Sequence, residues 1–132
     1  MQLRNARVVL TGASGGIGMA IAEALCAAGA RVLAVARHQE ALAPLLKRYP
    51  EALCWVAADL TLPSDQRKVL AAAEEIGGLN LLINAAGVNH FAMLEQLDDS
   101  DINAMLALNI NAPICLTKLL LPLLKQADSA MV

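Results

Sequence analysis

The sequence contains very few aromatic residues: one tryptophan, one tyrosine and one phenylalanine among 132 residues. Its core must therefore consist of alanine, leucine, valine and isoleucine, which suits closely packed helices on a sheet. Charged residues make up only 17% of the chain, and the formal net charge is −2. This balance disfavours binding to nucleic acid or to an anionic membrane. The apolar fraction of 58% is too high for a disordered chain.

Cysteine is also scarce, and no cysteine spacing is typical of a metal site or a C-x-x-C motif. Cys26, Cys54 and Cys115 lie far apart in apolar surroundings, which predicts reduced core residues of a cytoplasmic protein. No apolar run long enough for the h-region of a signal peptide precedes Gly12, so the N-terminus is not typical of a signal peptide. The most apolar region, residues 104–124, is interrupted by asparagine, proline and lysine. We therefore expect no membrane span.

Short apolar runs alternate with segments of helical spacing. Strands are predicted at residues 6–11, 31–36, 52–58 and 81–84. Helices are predicted at residues 17–28, 39–48, 64–76 and, with an interruption, 98–126, with Ser64 and Asp98 as N-caps. This order predicts an α/β fold, a Rossmann-type doubly wound parallel sheet covered on both faces. Residues 129–132 resemble the opening of a fifth strand. We therefore expect residues 1–132 to be the N-terminal part of a longer single-domain protein, truncated within that strand.

A glycine-rich stretch, T-G-A-S-G-G-I-G at residues 11–18, connects the first predicted strand to the first helix. Ligands bind at the carboxyl ends of parallel strands, and a helix N-terminus attracts phosphate. Glycine lets a pyrophosphate approach the backbone closely, and Ser14 adds a hydroxyl donor. No Lys-Ser/Thr pair follows, which disfavours a P-loop. The stretch predicts a nucleotide site, and the alternative is a tight turn without a ligand.

The same stretch resembles the T-G-x-x-x-G-x-G signature of the short-chain dehydrogenase/reductase family. It also fits T-G-x-x-G-x-x-G, the pattern of that family's extended branch of epimerases and dehydratases. Three downstream features resemble the classical branch: Asp59-Leu60, the N-A-A-G segment at residues 84–87, and Asn109. The resemblance covers essentially the whole chain but only the front portion of the family's fold. It implies a cofactor site formed by Gly12, Ser14, Gly15, Gly16, Ile17, Gly18, Arg37, Asp59, Leu60, Asn84, Ala85, Ala86 and Gly87.

Two of these motifs also have simpler interpretations. The resemblance implies that Asp59 lies against the adenine ring, whereas a residue at this position could also cap the following turn. It implies that Asn84 steadies the sheet and that the Ala-Ala-Gly backbone passes beside the cofactor ribose. Asn84 could instead be a simple turn residue. His90 follows this segment, and we expect a surface-loop histidine there rather than one at the edge of a substrate cleft.

Asn109 is the candidate catalytic residue. Pro113 stands four positions later and cannot donate to the Asn109 carbonyl, so this carbonyl can accept from water if the helix continues through both residues. The resemblance implies a role of that kind, in which this asparagine shapes a kink and anchors a water of a proton relay. The alternative is an asparagine that merely faces solvent.

The end of the second strand predicts which form of the cofactor is bound. An NAD-selective site usually places a carboxylate there, but this chain has Ala36 followed by Arg37. An arginine can hold a phosphate with two parallel hydrogen bonds, which favours NADP(H) over NAD(H). The alternative is that Arg37 is only a solvated surface charge.

The family's catalytic serine and Tyr-x-x-x-Lys pair cannot be assigned. Tyr49 is the only tyrosine, and Leu53 stands four positions after it. Two classes of function follow. One is an oxidoreductase for a small ketone or secondary alcohol whose remaining catalytic residues lie outside this chain. The other is a non-catalytic nucleotide-binding or structural relative. Asn109 favours the enzyme.

The resemblance also implies a homo-oligomer, a dimer or tetramer, that packs through the apolar helix 98–126.

Overall fold

The computed structural model describes all 132 residues and contains one parallel sheet with helices on both faces. The four strands run in the order β3-β2-β1-β4. They are β1 (Arg7–Thr11), β2 (Arg31–Ala36), β3 (Leu53–Ala57) and β4 (Leu81–Ile83). The helices are α1 (Gly16–Ala27), α2 (Ala43–Arg48), α3 (Pro63–Glu75), α4 (Asp99–Leu106) and α5 (Ala112–Gln126). The predicted doubly wound α/β fold is thereby confirmed.

The core consists of two apolar layers, one on each face of the sheet. Val8 pairs with Val32 in β2 and with Leu81 in β4, which sets the register of the central strands. Side chains alternate across the sheet, so neighbouring residues of one strand enter different layers. One layer packs against α1 and includes Val8, Leu10, Val32, Ala22 and Leu25. The other packs against α3 and α5 and includes Val9, Leu33, Val69, Leu116 and Leu120. Both faces are covered, as the continuous apolar strands predict.

The predicted opening of a fifth strand lies beside β4. The Met131 N–H donates to the Asn80 carbonyl at 2.9 Å, and the Met131 carbonyl accepts from the Leu82 N–H at 3.0 Å. The resulting bridge between Leu81 and Met131 is parallel. This pairing places the end of the chain beside β4, at the edge of the sheet opposite β3.

Two helix starts differ from the prediction. Ser64 does not cap α3, because Leu62 occupies the N-cap position and Pro63 lies in the first turn. Proline fits there because its fixed φ suits the helix start and its missing N–H would have had no partner. The segment predicted as one helix at residues 39–48 begins as a 3₁₀ turn, Glu40–Leu42, before α2. Asp98 does occupy the N-cap position of α4, but its side chain makes no capping hydrogen bond.

A short π-helical segment, Ala107–Asn111, joins α4 to α5 without a break. The Ala112 N–H bonds to the Ala107 carbonyl, five residues back, which widens the turn just before Pro113. The continuous helix Asp99–Gln126 is 28 residues long, and its most apolar window has a mean hydropathy of 1.6.

Length and composition alone would let this helix cross a membrane, so the expectation of no membrane span stays a prediction. Core helices of soluble proteins meet the same criterion. Only 17% of the most apolar window of this helix is buried. Its buried side belongs to the core layer between the sheet and α3, and includes Ala112, Leu116, Leu120 and Leu124.

Candidate cofactor-binding site

The turn after β1 brings three backbone segments into unusually close contact. Gly12 has a φ of 65°, and a Cβ atom added there would lie 2.6 Å from the Ala85 carbonyl oxygen. A Cβ atom on Gly18 would lie 2.0 Å from the Gly12 carbonyl oxygen. Both glycines are therefore required for the packing of the turn. Gly16 is different, because a Cβ atom there would meet nothing within 4 Å.

No capping or acidic side chain of α1 offsets the partial positive charge at its N-terminus. Gly15 occupies the N-cap position, so no side chain caps the helix, and the first turn contains no acidic residue. The first N–H groups of a helix lack intrahelical acceptors and carry partial positive charge. Together with the open space at Gly16, this arrangement suits an anionic group such as a pyrophosphate.

Thr11 joins the end of β1 to the N-A-A-G segment. Its Oγ1 accepts from the N–H groups of Ala85 and Ala86 at 3.0 and 3.1 Å. The same hydroxyl lies 3.4 Å from the Ile83 carbonyl, to which it donates. Thr11 is 1% exposed, so these bonds satisfy an otherwise buried polar group. Its role in positioning this backbone was not deduced from the sequence, although the residue opens the glycine-rich motif.

Asn109 holds the backbone that follows the N-A-A-G segment. Its Oδ1 accepts from the Val88 N–H at 2.8 Å, and its Nδ2 donates to the Val88 carbonyl at 2.7 Å. The interpretation of a side chain that merely faces solvent is therefore wrong. The helix continues through Asn109 and Pro113, as the predicted role requires. The water-anchoring role itself stays a prediction.

Asn84 lies at the end of β4, where the sheet meets α5. Its Nδ2 donates to the Thr117 hydroxyl over a long 3.4 Å. This contact links the strand end to the helix that covers it, which is consistent with a steadying role for Asn84.

The segment after β3 is organised around the Asp59 carboxylate. Its Oδ1 accepts from the Thr61 N–H at 3.0 Å and from the Thr61 hydroxyl at 2.6 Å. Asp59 thus caps a local turn, as its simpler interpretation predicts. This does not exclude the adenine role, because Oδ2 has no hydrogen-bond partner in the chain and Asp59 lines the cavity described next.

One cavity of about 930 Å³ lies along the carboxyl edge of the sheet. It falls within the usual size range of small-molecule sites. The predicted residues that it brings together come from four strand ends: Gly12, Ser14, Gly15, Arg37, Asp59, Leu60, Ala85, Ala86 and Gly87. Gly16, Ile17, Gly18 and Asn84 do not line it. Gly18 is buried under the turn, and Ile17 is 78% exposed.

Several lining residues were not singled out from the sequence. Thr61, Val88, Ser100 and Asn103 belong to the cavity wall. Only Thr61 had a recognisable signal, since it stands two positions after Asp59 in an Asx-turn pattern. His90 also lines the cavity, and its Nδ1 lies 3.6 Å from the Asp101 carboxylate. His90 therefore lies in a loop, as expected, and also contributes to the wall of this cavity.

Arg37 lies exposed on the wall of the cavity beside the buried Ala36. It forms no salt bridge, in contrast to Arg48, which pairs with Glu23. The guanidinium of Arg37 is therefore available to an anionic ligand.

The three cysteines are free thiols. Burial raises the pKa of the Cys26 and Cys54 thiols, which disfavours the reactive thiolate.

The strand order, the glycine-rich turn after β1 and the cavity at the strand ends define a Rossmann-type α/β fold. The sequence matches the family model of the short chain dehydrogenases over residues 6–132. The chain therefore belongs to the short-chain dehydrogenase/reductase family, as its motifs predict.

Among similar proteins is Oxidoreductase BOA17 of Botryotinia fuckeliana, which is 35% identical over 93% of this chain and 46% of its own length. The rhamnolipids biosynthesis 3-oxoacyl-[acyl-carrier-protein] reductase of Pseudomonas aeruginosa is 36% identical over 92% of this chain and 49% of its own. A short-chain dehydrogenase structure from Streptomyces avermitilis superposes with a TM-score of 0.90 at 32% identity, over 98% of this chain and 48% of that one. The chain thus spans about half the length of these relatives.

Proposed function

We propose that this chain forms the cofactor-binding part of an oxidoreductase that transfers hydride between NADP(H) and a small ketone or secondary alcohol. The observation that carries the proposal is the single cavity that gathers the glycine turn, the Asp59 segment and the N-A-A-G backbone. Membership of the family supports it, and one similar protein is named as a 3-oxoacyl-[acyl-carrier-protein] reductase.

The residues of this chain provide a binding surface for each part of a dinucleotide. The open N-terminus of α1 suits the pyrophosphate, and Asp59 and Leu60 provide a wall for the adenine. Thr11 and Asn109 fix the backbone on both sides of Gly87, which the proposal places beside the nicotinamide ribose. A bound nicotinamide would supply the hydride donor or acceptor. The proposed contribution of Asn109 is to hold a water of the proton relay through its main chain.

The proposed preference for NADP(H) rests on Ala36 and Arg37. Ala36 offers no carboxylate that would repel a 2′-phosphate, and Arg37 lies on the cavity wall without a salt-bridge partner. A hydrogen bond to a charged group contributes about 1.5–3 kcal/mol. Losing one such bond weakens binding by roughly one to two decades.

The test compares NADPH and NADH binding to the wild type and to the double variant Ala36→Asp with Arg37→Ala. We expect the wild type to prefer NADPH and the variant to shift toward NADH. Arg67→Ala is the matched control, because Arg67 is also exposed but lies on α3 outside the cavity. Equal wild-type affinities, unchanged in the variant, would show that Arg37 does not bind the 2′-phosphate.

The proposal requires a catalytic serine and a Tyr-x-x-x-Lys pair from outside these 132 residues. We therefore expect no dehydrogenase activity from the isolated chain. Turnover of any carbonyl substrate by this chain as a monomer would contradict that expectation. A complete protein that binds dinucleotide but lacks turnover would support the non-catalytic alternative.

We also propose that the protein is a homo-oligomer that packs through the helix Asp99–Gln126. Its outer face exposes Leu106, Ile110 and Ile114, which are 51%, 54% and 63% exposed. Contiguous exposed apolar surface favours association. Size-exclusion chromatography coupled to light scattering should show a dimer, a tetramer or larger species, and a stable monomer at micromolar concentration would contradict this.

The three free cysteines support a reducing compartment, and we propose the cytoplasm.

A further inference from the structure

The segment that follows β3 is held by two neighbouring side chains from the first turns of α3. The Asp65 Oδ2 accepts from the Asp59 N–H at 2.8 Å. The Gln66 Nε2 donates to the Leu60 carbonyl at 2.8 Å. Asp65 therefore holds the backbone N–H of Asp59, and Gln66 holds the backbone carbonyl of Leu60.

Gln66 is buried with only 7% of its surface exposed, and it is one of two buried polar residues in the chain. The other is Thr11, which holds the N-A-A-G backbone. A buried amide without a hydrogen-bond partner is costly, so breaking the Gln66 bond to the Leu60 carbonyl would destabilise the fold. Both buried polar side chains thus hold backbone that lines the cofactor cavity.

A second contact stabilises the ionised form of Asp65. Lys68 lies 2.8 Å from the Asp65 Oδ1. The hydrogen bonds from Lys68 and from the Asp59 amide hold the pKa of Asp65 below its usual range. One carboxylate therefore connects α3 to the Asp59 backbone at neutral pH.

These bonds fix the backbone that carries the Asp59 carboxylate. Its Oδ1 is occupied by Thr61, and its Oδ2 has no partner in the chain. With the Asp59 backbone held by Asp65 and the next carbonyl held by Gln66, Oδ2 remains as the acceptor for a ligand in the cavity.

We propose that Asp65 and Gln66 are positioning residues for adenine: without lining the cavity themselves, they hold Asp59 so that its carboxylate accepts from the 6-amino group of the cofactor's adenine. This inference rests on the proposed function, since it presupposes that the cavity binds a dinucleotide. It predicts that base selectivity depends on residues that do not touch the base.

Selectivity can be measured with NADPH and its hypoxanthine analogue, which carries a carbonyl oxygen in place of the 6-amino group. The amine donates to a carboxylate, whereas the carbonyl oxygen is repelled by it. We expect the wild type to bind NADPH at least about tenfold more tightly than the analogue, as befits a charge-assisted hydrogen bond. Isothermal titration calorimetry gives both dissociation constants.

Asp65→Ala and Gln66→Met should each reduce that ratio to within about threefold, since either change frees one side of the Asp59-Leu60 pair. Asp65→Asn keeps a carbonyl acceptor for the Asp59 N–H and should retain most of the selectivity. The exposed Arg67→Ala is a control on the same helix and should keep the wild-type ratio.

The outcomes separate the inference from the function on which it rests. A wild type that binds neither nucleotide contradicts the proposed function. A wild type that binds both equally contradicts the adenine contact, and the inference with it. If the wild type discriminates but Asp65→Ala and Gln66→Met discriminate equally well, the two residues are merely structural and the inference is overturned. Circular dichroism checks folding, and should Gln66→Met not fold, Asp65→Ala decides alone, because Asp65 is less buried than Gln66.

Discussion

Replacing Gly18 with alanine tests how tightly the cofactor turn is packed. The added Cβ atom would lie 2.0 Å from the Gly12 carbonyl oxygen and 2.8 Å from its carbonyl carbon. Gly12 is itself packed closely against the N-A-A-G backbone, because a Cβ atom added to it would lie 2.6 Å from the Ala85 carbonyl oxygen. The start of α1 must therefore move away from the turn.

The size of the effect follows from two opposing contributions. Overpacking typically costs about 1–3 kcal/mol and sometimes more, and a backbone clash without a flexible neighbour belongs at the upper end. Alanine regains up to about 1 kcal/mol through its higher helix propensity. We expect Gly18→Ala to lower the free energy of unfolding by at least about 2 kcal/mol.

Gly16→Ala is the matched control in the same turn of α1. A Cβ atom there meets nothing within 4 Å, so the substitution should leave stability unchanged or raise it by up to about 1 kcal/mol. The methyl group would nevertheless stand beside the helix N-terminus where we propose that the pyrophosphate binds. Dinucleotide affinity should therefore fall in this variant although its fold is intact.

Urea unfolding followed by circular dichroism measures both stabilities, and calorimetric titration measures the affinity. A Gly18→Ala protein that unfolds at the wild-type urea concentration would refute the close-packing argument. Equal destabilisation by Gly16→Ala would refute it as well, since the loss would then follow from removing any glycine rather than from the clash.

Three further predictions concern side chains that hold the site. Thr11→Val keeps the shape but leaves the Ala85 and Ala86 N–H groups without their acceptor, and should cost about 1–3 kcal/mol in urea unfolding, whereas Thr61→Val at an exposed position should cost less. Asn109→Ala removes both side-chain hydrogen bonds to the Val88 backbone, so hydrogen exchange of the Val88 amide should become faster. An unchanged exchange rate would contradict the role of Asn109 in holding this backbone. Because the pKa of folded Asp65 is lowered, its contribution to stability is present above the unfolded pKa and is lost as pH falls through the folded value, so stability below about pH 4 should decline less steeply in Asp65→Asn.

Much of the fold could be predicted because its signals are local. The strand predicted at residues 31–36 coincides with β2, since its continuous apolar run is typical of a buried parallel strand. The helix predicted at residues 17–28 differs from α1 by one residue at each end. Gly29 lies two positions after the end of α1 and has a φ of 86°, which suits glycine after a helix C-terminus.

The helix starts were less predictable, because several local patterns compete there. Ser64 and Pro63 both signal a helix N-terminus, and the structure uses the proline. The π-helical segment before Pro113 was predicted only as an interruption. Its exact form depends on how α5 continues along the sheet, where Leu116 and Leu120 are buried in the same layer as Val9.

The residue types of the candidate site and their order along the chain were determined by the sequence itself. Glycines follow β1, an aspartate follows β3 and small residues follow β4, because each strand end carries its own local signal. Which groups meet was decided only by the tertiary structure. Thr11 reaches Ala85 across 74 positions of sequence, and Asn109 reaches Val88 across 21. Periodicity encodes contacts within a helix or strand, whereas these bonds depend on strand order, register and the path of the α4–α5 helix, which exist only once the sheet has assembled.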